Sequence, residues 1–222
     1  MEKRTKLIVG LACVAAFTLS MATTSRANLL ADPGAEQGLT APNPNPTSQV
    51  GWSFFNGAGF STAFALSGTQ SLALVTQNGV PGAFQQFAAS GGQAWTMSGF
   101  GMTPTLLNGA PGFGLLQITF FDGPNGTGNN IGTVETSPGN AFGSAQVNGA
   151  SAPGVWNPLS VTAHAPATAQ SMQAFCLVVD FGSAGPEGVY FDDLTLVPEP
   201  SSIALVLTGL FGLVAIARKR RV

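Results

Sequence analysis

The stretch "GVYFDDLTLV", Gly188–Val197, decides the fold of this chain. It is built from aromatic and β-branched residues, and as an extended segment it turns Phe191 away from Asp192, which suits a strand with one face on a core. Comparable runs lie upstream: "WSFFNG", "AFALSG", "SLALVT", "GAFQQFAA", "AWTMSGFGM", "LLQITFFD", "IGTVETS", "WNPLSVTAHA" and "MQAFCLVVDF". Gly, Pro and Asn clusters separate them and mark turns. In "SLALVT", Leu72 and Leu74 share one face while Ala73 and Val75 share the other. No sustained helical period of apolar residues interrupts the series. The pattern predicts an all-β body of two stacked antiparallel sheets.

The charges divide the chain into three parts. All 8 Lys and Arg residues lie near the termini, so the segment from Asn28 to Val197 has none. That segment carries Asp32, Glu36, Asp122, Glu135, Asp180, Glu187, Asp192 and Asp193. Without cations it cannot neutralise phosphates, which excludes nucleic acid as a partner and disfavours phosphorylated substrates. Uncharged ligands or cations fit better.

The first 27 residues have the layout of a secretory signal peptide. Lys3, Arg4 and Lys6 precede an apolar stretch from Leu7 to Leu19, and Ser25 and Ala27 supply small side chains for cleavage after Ala27, with Ala22 as an earlier alternative. Removal of this segment takes Cys13 with it, leaving Cys176 as the single cysteine and no intrachain disulfide. In "MQAFCLVVDF" that cysteine reads as a buried, inert thiol.

At the other end stands "VPEPSSIALVLTGLFGLVAIARKRR". Residues Ile203 to Ala217 are uncharged, short of the roughly 20 residues a spanning helix usually needs. The cluster Arg218, Lys219, Arg220 and Arg221 would remain cytoplasmic, leaving the acidic body on the far side of the membrane. The three-part order of Val197, Pro198, Glu199 and Pro200, then a short apolar helix, then basic residues resembles the PEP-CTERM sorting tail. That resemblance implies an exosortase as partner, a membrane-bound stage before the tail is removed, and delivery to the cell envelope or extracellular matrix. Related tails also occur on proteins described as ice-binding. The expected organisation is a signal peptide at 1–27, a β-sandwich at 28–196 and a sorting tail with a transmembrane helix at 197–222.

The body's own ends, "NLLADPGAEQG" and "GVYFDDLTLV", resemble the terminal strands of galactose-binding-like jelly rolls, including carbohydrate-binding modules. This resemblance implies an antiparallel jelly roll and a structural calcium ion held by Glu36 and Asp193; oxygen ligands of this kind suit calcium. The alternative is that both are surface carboxylates or accept hydrogen bonds from backbone N–H groups at strand ends. For sugar binding, Trp52 is the candidate stacking platform, because it follows the Pro- and Asn-rich "APNPNPTSQV". Trp95 and Trp156 read as packing residues. "DGPNGTGNN" reads as a hairpin turn, since Pro124 and Gly126 fall where a calcium loop needs oxygen ligands.

No catalytic constellation is evident. The lone His164 lies in a strand-like run, and neither a nucleophile elbow nor a metalloprotease motif is present. Asp192 and Asp193 are adjacent, so on a regular strand they point to opposite faces and cannot act as a carboxylate pair. The expectation is a non-catalytic envelope or matrix protein that binds extracellular polysaccharide. The alternative is a structural matrix component with no defined ligand; an ice-binding protein or a hydrolase stands further back.

Overall fold

The computed structural model describes residues 28–38, 48–75, 79–104, 112–136, 146–148, 150–179 and 188–199. The signal segment, Pro200, the apolar tail and the basic cluster at 218–221 lie outside the described residues. Among those described, no helix is long and apolar enough to cross a membrane. The body forms a compact unit from Asn28 to Glu199, three residues beyond the boundary expected from the sequence.

Among the described residues the body has twelve strands: β1 Ser48–Gln49, β2 Trp52–Phe55, β3 Ala58–Ser61, β4 Ser71–Val75, β5 Gly82–Ala88, β6 Ala94–Met102, β7 Phe113–Phe121, β8 Asn130–Glu135, β9 Val147–Asn148, β10 Asn157–His164, β11 Ser171–Val179 and β12 Gly188–Pro198. One sheet runs β1-β2-β5-β11-β7-β8, with β9 also on β7; the other runs β10-β6-β12-β4-β3. Each observed pairing is antiparallel. The expected β-sandwich is therefore present, a jelly roll with its last strand in the middle of the five-stranded sheet.

Alternation builds the core between the sheets. Leu72 and Leu74 of β4, Met97 of β6, Ile118 and Phe120 of β7, Met172 of β11 and Phe191 of β12 are all fully buried. Each such side chain contributes roughly 1.5–3 kcal/mol of transfer free energy. Cys176 lies among them, and burial pushes its thiol well above the ordinary cysteine range.

One candidate strand did not form. Residues 62–70, containing "AFALSG", are a loop. Leu66 N donates to the Asp192 carboxylate at 2.7 Å and Ser67 N at 3.2 Å, so acceptors from β12 engage backbone groups that a strand would offer to a neighbour. The ring of Phe64 packs edge-on against Tyr190, 4.9 Å between centroids.

Candidate functional site

The initial segment and the final strand lie side by side. Leu29 N donates to Leu196 O, Leu194 N donates to Pro33 O, and the Asn28 amide bridges Leu194 O and Leu196 N. From this base Asp32 accepts from Glu36 N and Gln37 N at 2.8 and 3.0 Å and shapes the turn that presents Glu36. The terminal segments named by their resemblance to jelly-roll ends are thus neighbours.

Glu36 meets the 62–70 loop. Its Oε1 accepts from Thr69 N and Gln70 N at 2.9 and 3.0 Å, and its Oε2 accepts from Thr69 N and the Thr69 hydroxyl at 3.0 and 2.9 Å. Hydrogen bonds from the Gln70 and Thr69 backbone outweigh partial desolvation and lower its carboxyl below the ordinary range. Gly68 permits the approach: it has φ +61°, and a Cβ there would stand 2.2 Å from Glu36 Oε1.

Asp192 and Asp193 correct the opposite-face expectation. The β6–β12 register shifts between Asp192 and Thr195, and Asp193 has φ 49°, a bulge that reorients the second side chain. Asp192 is fully buried and accepts from Leu66, Ser67 and Asp193 N–H groups, while Asp193 Oδ1 accepts from the Ser67 hydroxyl at 2.6 Å. Both carboxylates therefore reach one residue of one loop. Burial raises the Asp192 carboxyl above its ordinary range, the three N–H donors oppose that rise, and the nearby Asp193 charge adds to it.

The two carboxylates expected to hold a structural calcium, Glu36 and Asp193, both accept hydrogen bonds from the 62–70 loop. Four hydrogen bonds from Thr69 and Gln70 engage the two oxygens of Glu36. Among the described residues no three His, Cys, Asp or Glu side chains converge as a metal-holding group. Glu36 accepts from backbone N–H groups, as the alternative reading expects.

Trp52 also departs from expectation. Its side chain is fully buried, with Nε1 donating to Asp32 O at 3.1 Å, so no face is open to a sugar. Trp52 shares its strand parity with Phe54 and turns inward; Phe55 and Ser53 take the other face. Trp95 is buried as well, Trp156 is half-buried, and His164 is exposed at the end of β10.

The outward face of the seven-stranded sheet holds the aromatic surface. Ser53, Phe84, Phe175, Gln117 and Glu135 lie in register across β2, β5, β11, β7 and β8. The Phe84 and Phe175 rings have centroids 5.1 Å apart, and Phe55 extends the strip with its centroid 6.3 Å from Phe84. All three are partly exposed. The adjacent row places Gln86, Gln173, Thr119 and Thr133 across the same strands, with Gln173 Nε2 donating to Gln86 Oε1 at 3.1 Å. Rings and amides side by side offer apolar faces for stacking and both donors and acceptors for hydroxyl groups.

The β7–β8 hairpin borders this strip. Asp122 accepts from the backbone and side chain of Asn129, confirming a turn within "DGPNGTGNN". Gly126 N donates to the Ser171 hydroxyl at 2.9 Å, and a Cβ on Gly126 would stand 2.5 Å from the amide atoms of both Gln86 and Gln173. The loop backbone therefore sits against the amide pair. Sequence reasoning missed Phe55, Phe84 and Phe175, although the alternation of "GAFQQFA" against Ala83 was visible; aromatic residues in such runs are ordinarily assigned inward.

No protein-family model and no curated protein matches the chain. Among solved structures, the tandem CBM22-1–CBM22-2 domain of Paenibacillus barcinonensis Xyn10C matches with TM-score 0.50 at 16% identity, over 81% of this chain and 47% of that one. The enzymatically active domain of bacteriophage CBA120 tailspike protein 4 matches with TM-score 0.50 at 10% identity, over 78% of this chain and 21% of that one. This chain thus spans about half of the first and about a fifth of the second. The family 16 carbohydrate-binding module-2 is also similar, with TM-score 0.46 at 19% identity, covering 77% of this chain and 99% of that module. The body shares the jelly-roll fold of carbohydrate-binding modules.

Proposed function

We propose that this chain is an exported, non-catalytic module that binds neutral extracellular polysaccharide through the outward face of its seven-stranded sheet. The observation that carries this reading is the Phe55–Phe84–Phe175 strip beside the Gln86–Gln173 pair. A sugar ring has apolar C–H faces and a rim of hydroxyls, and the strip provides partners for both. The residues from Asn28 to Val197 contain no Lys or Arg and eight acids, so carboxylated or sulfated glycans would be repelled and a neutral glycan favoured. Export and sorting rest on the signal pattern at 1–27 and the tail that begins at Val197, with an exosortase and the membrane as partners before processing and the envelope or matrix as destination.

The test is retention of the full chain on immobilised neutral polysaccharides, including that of the producing cell. Phe84→Ala combined with Phe175→Ala is expected to weaken retention at least ~10-fold, the effect of removing a central aromatic anchor. Denaturation of the same variant checks that the fold remains. If the unaltered chain is retained on none of them, the module reading fails and a structural matrix role takes its place.

A further inference from the structure

The sorting motif is not wholly outside the sandwich. Val197 and Pro198 are the last residues of β12, in register with Thr96 and Trp95 of β6. Glu199 continues the attachment: its N–H donates to Ala94 O at 2.9 Å, and its Oε1 accepts from the Thr96 hydroxyl at 2.7 Å. Thr96 is itself 2.8 Å from the Thr162 hydroxyl on β10, so the acidic residue of the motif is fastened through two strands. Val197, Pro198 and Glu199 are all half-buried.

We infer that the folded body is a binding site for the first three residues of its own sorting motif, with Thr96 as the latch. This rests on reading the tail as a sorting signal. A peptidase takes its substrate as an extended segment and must contact the backbone as well as the side chains. Ala94 O already engages the Glu199 N–H, and Thr96 engages the carboxylate. A reader of the motif therefore competes with the sandwich and gains Glu199 only when the end of β12 opens, a local event of the kind that terminal residues undergo most readily. The body thereby sets the rate at which its own tail is read.

The test compares the full chain with Thr96→Val and Ser98→Ala in the producing cell, following tail loss by intact mass after a pulse of synthesis. Thr96→Val keeps the β-branched shape and removes the hydroxyl. It is expected to accelerate tail loss at least ~3-fold and to raise amide exchange at Glu199 by a similar factor, the scale of one lost hydrogen bond. Ser98→Ala removes the adjoining Ser98–Thr195 pair, 2.6 Å apart on the same two strands, and is expected to change neither. Equal acceleration by both variants would reduce the effect to general loosening and overturn the latch. Unchanged exchange at Glu199 in Thr96→Val, or raised exchange with an unchanged rate of tail loss, would overturn it too. Failure of the unaltered chain to lose its tail would instead overturn the sorting reading on which the latch rests.

Discussion

The two sheets present outward faces of opposite character, although both arise from the same alternation. On the five-stranded sheet the polar groups are occupied internally: Ser98 with Thr195, Thr96 with Thr162 and Glu199, and Asp192 with the loop that covers it. On the seven-stranded sheet three partly exposed phenylalanines and a row of amides and hydroxyls stand together. Internal hydrogen bonds occur on this face as well, Gln173 with Gln86 and Thr119 with Thr133; what distinguishes it is the partly exposed aromatic strip.

The strongest way to break the covered face is Asp192→Ala. It leaves the Leu66, Ser67 and Asp193 N–H groups without their acceptor, and the expected loss is about 2–4 kcal/mol of unfolding free energy, measured by denaturant titration. Glycan retention at the opposite face should survive under conditions where the variant stays folded. A smaller loss, about 1–2 kcal/mol, is expected for Gly68→Ala, because its φ of +61° and the 2.2 Å approach to Glu36 Oε1 both oppose a side chain.

Acid sharpens the comparison within the covered face, where the two carboxyls shift in opposite directions. Hydrogen bonds hold the Glu36 carboxyl below its ordinary 4.5, so its contribution is present above that value and is lost as pH falls through its folded value. Asp192 is raised from 3.8. The folded state therefore holds that proton more tightly, and its contribution declines as pH rises from 3.8 towards the folded value. Thermal melts between pH 3 and 7 should show a flatter acid limb for Glu36→Gln, while Asp192→Asn should steepen it by removing the opposing contribution. The smallest effect is expected from calcium itself. Melts of the full chain with Ca²⁺ and with EDTA test it: a rise with Ca²⁺ would support the site at Glu36 and Asp193, and superimposed curves would drop it.

Much of the fold was legible because alternation and turn chemistry are local. The strands around Leu72, Met97, Phe120, Met172 and Phe191 follow from runs whose inward members are large and apolar. Residues 62–70 misled because "AFALSG" has strand composition, whereas its backbone donors are taken by Asp192, distant in sequence and adjacent only in the fold. Trp52 misled for a related reason: in "WSFF" both parities carry aromatic residues, and only packing against the opposite sheet decides which face is buried.

By itself the sequence determined a cation-free β body between two apolar, positively charged ends, since charge, period and turn residues are properties of the chain. Tertiary structure alone decided that Trp52 is core and Phe84 is surface, that the Asp192 bulge brings two adjacent carboxylates to one loop, and that Glu199 ends against Thr96. Those outcomes depend on which distant strands become neighbours, because hydrogen bonds and ring contacts act over a few ångströms of space irrespective of separation along the chain.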